Sequence, residues 1–110
     1  MKNPETTKFL IFYQDVNNED NFTPELINDL TRQHVEHLRN LDSKGVLFLC
    51  GPLKDDERGM LILNAKNYEE AESYVKQDPF IANNCYTSYV IKEIIEGNAS
   101  NNYLLEEYLM

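Results

Sequence analysis

Two histidines, His34 and His37, stand three residues apart in the stretch Thr31 to Pro52, TRQHVEHLRNLDSKGVLFLCGP. At about 100° per residue, Ile27, Leu30, His34, His37, Leu38 and Leu41 fall on one helical face. A histidine within an apolar stripe is either a structural residue with a hydrogen-bond partner or a base held in a sheltered pocket. The i, i+3 spacing also lets two imidazoles share a metal ion. No third ligand with suitable spacing is visible, so His37 reads as a helix-edge histidine packed under Leu41, and no metal or cofactor is expected. Tyr13 and Tyr86 are either cleft hydroxyls or core aromatics with a polar tip. Cys50 precedes Gly51-Pro52 at a strand end, where a nucleophile can sit. Without a base at known spacing it reads as a small buried hydrophobe.

The elements that position these residues follow from pattern. Thr7 to Gln14 (TKFLIFYQ) is apolar on both faces, with Phe9, Ile11 and Tyr13 pointing one way and Leu10 and Phe12 the other. A strand with no wet face is a central strand. Asp15 to Asn21 is a polar loop. Thr23 caps a helix, Pro24 suits its first position, and Gly45 ends it near Ser43. Val46 to Cys50 is a short, buried apolar strand closed by Gly51-Pro52. Gly59 to Ala65 follows a charged turn and completes an antiparallel hairpin. Asn67 and Glu70 form a capping-box start for a second helix. That helix ends near Gln77 because Pro79 biases Asp78 away from helical geometry. Asp78-Pro79-Phe80 then reads as a stop and a turn. Tyr86 to Ile95 is the last strand. After Gly97, Leu104, Leu105, Tyr108 and Leu109 share one face of a short terminal helix.

Strand, helix, strand, strand, helix, strand is the split βαβ pattern: an α+β, ferredoxin-like sheet with both helices on one face. Residues 1–96 read as one domain and 97–110 as a helical extension. The uncovered apolar face calls for a second copy packed sheet to sheet, a homodimer. The strand carrying Cys50 and the strand after Cys85 lie at opposite edges, so the two cysteines read as free thiols. The formal net charge of −9 over 110 residues is a poor match to nucleic-acid phosphates or an anionic membrane. No apolar run approaches the roughly 20 residues of a membrane span. The N-terminal MKNPETTK is not a secretory signal. The expected location is the cytoplasm.

The succession Arg32, His34, Leu38, Gly45, an apolar strand and Gly51-Pro52 resembles the YciI-like (YCII-related) proteins. Glu69-Glu70-Ala71, Asp78-Pro79-Phe80 and a strand from Tyr86 continue the likeness over roughly Phe9 to Ile95. It departs at Asn83-Asn84 and at Lys92-Glu93-Ile94. The resemblance implies a dimeric α+β barrel. It also implies a cleft with a histidine and an aspartate as the catalytic pair, which fall on His34 and Asp78. One branch of that family is associated with dehydrochlorination of a chlorinated hydroxyquinol, and muconolactone isomerases share the fold. The implied function is a lyase or isomerase abstracting a proton from a small cyclic organic acid or quinol. The alternatives are a binding or regulatory dimer that does no chemistry, and a structural dimer whose terminal helix recruits another protein.

Overall fold

The structure, a computed structural model, describes residues 6–109. Met1–Glu5, the start of the N-terminal stretch read above, and Met110 lie outside it. The chain forms β1 (Thr7–Val16), α1 (Pro24–Ser43), β2 (Leu47–Pro52), β3 (Gly59–Ala65), α2 (Tyr68–Gln77), α3 (Pro79–Ala82) and β4 (Tyr86–Glu93). A 3₁₀ segment (Ala99–Leu104) and one helical turn, α4 (Leu105–Tyr108), follow. The sheet is antiparallel with order β2-β3-β1-β4, the ferredoxin-like arrangement. β1 is a central strand and β2 an edge.

Phe9, Ile11 and Tyr13 of β1, with Leu61, Leu63 and Ala65 of β3, face Leu41, Ala71 and Val75 of the two long helices and are buried. Leu10 pairs with Ile62 and Phe12 with Met60 on the other face, which neither of the two long helices covers. The α1 start is as expected: Thr23 Oγ1 accepts from the Leu26 amide at 3.2 Å. Gly45 ends the helix with φ +74°, a left-handed conformation that glycine adopts without a Cβ clash. Asn67 caps α2 through the Glu70 amide at 2.8 Å. The box is incomplete, because the Glu70 carboxylate accepts from the Lys66 amide instead.

Three expectations are corrected. β2 is not buried: Phe48, Leu49 and Cys50 are exposed, because they lie on an edge strand and a bulge separates Leu47 from Leu49. The Asp78-Pro79-Phe80 turn is the start of a short helix, α3. The terminal apolar residues do not line one continuous helix, since Asn102, Tyr103 and Leu104 are left-handed. The Asn98 and Asn101 side chains cap each other's backbone there. A segment this short has too few intrahelical bonds to outweigh such local alternatives. No helix of the described residues is long and apolar enough to cross a membrane.

Candidate functional site

Three elements converge on one carboxylate. Pro79 cannot continue α2, so Asp78 leaves it in an extended conformation, φ −67° and ψ 126°. Its backbone closes α2 and its side chain opens α3, with Oδ1 accepting from the Phe80 amide at 3.0 Å. The residue is 0% exposed. A buried carboxylate needs donors, and it has two more. The His34 Nδ1–H lies 2.8 Å from both oxygens. The Tyr13 hydroxyl donates to Oδ2 at 2.9 Å.

This arrangement sets the imidazole. With Nδ1–H given to Asp78, Nε2 carries the lone pair. It has no hydrogen-bond partner among the described residues. Among the same residues no buried side-chain nitrogen or oxygen lacks a partner, so Nε2 is the open side of the ring. Phe80 stacks on the imidazole, centroids 4.2 Å apart at 18°, and fixes its plane. Burial, then the Asp78 charge, pushes the Tyr13 phenol well above its usual range. Tyr13 therefore remains a donor.

His34 opens onto a cavity of about 380 Å³ between α1, α3 and the β2–β3 hairpin, within the size range of small-ligand sites. Leu38, Phe80, Tyr86 and the Gly51-Pro52 strand end contribute to its walls. His34 and Asp78, 44 positions apart, thus meet. His37 does not join them. It donates from Nε2 to the Tyr74 carbonyl at 2.9 Å and ties α1 to α2. No three His, Cys, Asp or Glu residues among those described come together as a metal site. Tyr86 lines the cavity. So does Cys50, whose exposure overturns its reading as a buried hydrophobe. Arg32 is exposed on α1 and takes no part.

The YCII-related domain model matches residues 7–95. The chain belongs to the YCII-related family. No protein with a curated description matches its sequence. Among solved structures it is similar to 5-chloro-2-hydroxyhydroquinone dehydrochlorinase (TftG) from Burkholderia phenoliruptrix, in complex with 2,5-dihydroxybenzoquinone, with a TM-score of 0.61, 22% identity, 82% of this chain covered and 95% of that one. At that identity the likeness establishes the fold of this YCII-related protein.

Of the two tyrosines that sequence reasoning left undecided, Tyr13 is the one bonded to Asp78. The alternation in β1 put its ring toward the helices, but nothing local shows the Asp78 oxygen 65 positions away. Tyr13→Phe should lower unfolding free energy by roughly 1.5–3 kcal/mol, the worth of a hydrogen bond to a charged group. Burial raises Tyr74 and Tyr86 as well, and burial with the Glu72 hydrogen bond pushes Tyr89 up to about 12. A tyrosine raised in the folded state contributes stability that is whole below its unfolded pKa, near 10, and is lost as pH rises beyond it. Urea titrations should show the parent losing stability above about pH 10, and Tyr13→Phe losing less of it. Equal losses in the two proteins would contradict the Tyr13 assignment.

Proposed function

We propose that this YCII-related protein is a lyase or isomerase that abstracts a proton from a small cyclic organic acid or quinol. His34 is the general base and Asp78 the carboxylate that orients it. The observation that carries this reading is the Nδ1–H bond of His34 to a fully buried carboxylate while Nε2 opens onto the cavity. A proton on carbon beside a carbonyl passes to Nε2. Its bonding pair becomes an enolate, or forms a double bond as a leaving group departs with its own pair. Asp78 stabilises the imidazolium that results. The similarity in fold to a dehydrochlorinase solved with a dihydroxybenzoquinone supports a flat, oxygenated ring as substrate. The test is proton exchange at carbon: incubation with candidate rings in D₂O, read by mass spectrometry. A ligand that binds and is recovered unlabelled and unchanged would favour a binding module instead.

We also propose that residues 1–96 form the domain, that 97–110 extend it, and that a second copy covers the open sheet face. Leu10, Phe12, Met60 and Ile62 lie there by register, and Phe48 and Leu49 are largely exposed beside them. A contiguous apolar surface of this kind is unusual on a monomer. Sedimentation should give twice the chain mass, and Ile62→Asp should give the single chain. A monomeric parent would remove the dimer.

A further inference from the structure

We infer that the cavity takes an uncharged ring bearing a hydroxyl or carbonyl, not a carboxylate, with the Tyr86 hydroxyl as the donor to the ring oxygen. The inference rests on the proposal that His34 faces the substrate, and it selects between the organic acid and the quinol left open there.

Among the described residues no lysine or arginine lines the cavity. Arg58 lies on the other face of the sheet, 4.6 Å over the Phe12 ring, and is paired with Asp56. Arg32 and Arg39 are exposed on α1. His34 can be cationic, but its charge is then matched by Asp78 at 2.8 Å. A substrate carboxylate would enter a mostly apolar space with no cation of its own and a buried anion behind the histidine. An ionised group so placed is strongly disfavoured.

Two polar side-chain atoms remain suited to an uncharged ring. The Tyr13 and Tyr89 hydroxyls are committed to Asp78 and Glu72. The Tyr86 hydroxyl has no hydrogen-bond partner among the described residues. It lies beside Gly59, where an added Cβ would stand 3.7 Å from it. Phe80 meets Tyr86 edge-on with centroids 6.0 Å apart, and its ring also stacks on His34. The three rings form one aromatic wall, with an acceptor at His34 Nε2 and a donor at Tyr86. Burial raises the Tyr86 phenol, so the donor persists in neutral solution. This pairing is complementary to a hydroxyl that gives a proton and an oxygen that gains charge.

Resorcinol and 3,5-dihydroxybenzoate differ by one carboxylate, and the first is uncharged at neutral pH. With the full-length protein, calorimetry should give a resorcinol Kd at least roughly tenfold tighter, a factor equivalent to about 1.4 kcal/mol. Tyr86→Phe should weaken resorcinol by roughly three- to tenfold, as expected for one lost hydrogen bond. Ring NMR signals of His34 and Tyr86 in the parent should shift on binding, which decides the contact if the variant fails to fold. Equal or tighter binding of the benzoate, no binding of either compound, or a Tyr86 contact absent by both measurements would overturn the inference. Deuterium incorporation tests the base separately. Selective binding without exchange would sink the His34 mechanism and leave the recognition standing. Exchange with equal affinity for both rings would do the reverse.

Discussion

His34→Ala is expected to lower the rate of proton exchange by roughly 10²- to 10⁴-fold, the range for loss of a positioned general base, while the protein stays folded. Removing the imidazole leaves Asp78 with the Tyr13 hydroxyl and the Phe80 amide as donors, so the carboxylate is not stranded. Far-UV circular dichroism and the urea midpoint establish folding, and label incorporation establishes activity. Free imidazole fits the space vacated beside Phe80 and should restore part of the rate. A purely structural His34 predicts the opposite pattern: lowered stability, no specific loss of exchange and no rescue. Exchange at the parental rate in His34→Ala would eliminate the assignment.

Asp78→Ala should have the largest effect on the fold. It leaves the Tyr13 hydroxyl, the His34 Nδ1–H and the Phe80 amide without their acceptor at a site that is 0% exposed. It also removes the cap of α3. Breaking a buried, hydrogen-bonded charge in this way costs roughly 3–5 kcal/mol, against a total near 5–15 kcal/mol for a domain. The urea midpoint should fall by a large fraction with little change in slope. Asp78→Asn keeps the shape and loses the charge. It should retain more stability than the alanine variant yet exchange protons as poorly as His34→Ala, because nothing then stabilises the imidazolium. An Asp78→Ala protein within about 1 kcal/mol of the parent would show that these bonds contribute little.

The elements were legible where one local signal dominates. Thr23-Pro24 and Gly45 bound α1 because a capping hydroxyl, a fixed φ and a left-handed residue each act within a turn. β3 ran over Gly59–Ala65 as expected. The two-faced apolar pattern of β1 indicated a central strand. Its end was not legible, since the strand runs on past Gln14 to Val16, which pairs with Tyr86 of β4, where polarity alone suggests a loop. The apolar run at Val46 to Cys50 suggested burial, yet the same composition occurs here on an edge strand with Phe48, Leu49 and Cys50 exposed. His34 stood out by its place in an apolar stripe, whereas Asp78 and its pairing with His34 were indicated only through a family likeness. The third member of the cluster, Tyr13, is joined to Asp78 by tertiary closure that no local spacing encodes. Cys50 was misread because its exposure depends on where the hairpin lies, not on its neighbours in sequence.

The position of β1 between β3 and β4 also governs how the molecule is made. β1 leaves the ribosome before the other strands of its sheet, and the strand that closes its second edge ends roughly 80 residues later, about 4–16 s at ordinary synthesis rates. Until then TKFLIFYQ has only β3, once it emerges, to pair with. It has high β-propensity and no proline, the profile of a segment prone to intermolecular pairing. The helices form from local contacts, whereas the sheet must await distant ones. Substitutions on the open face of β1, at Leu10 or Phe12, should therefore change the yield of soluble protein during synthesis before they change the equilibrium stability of the finished fold.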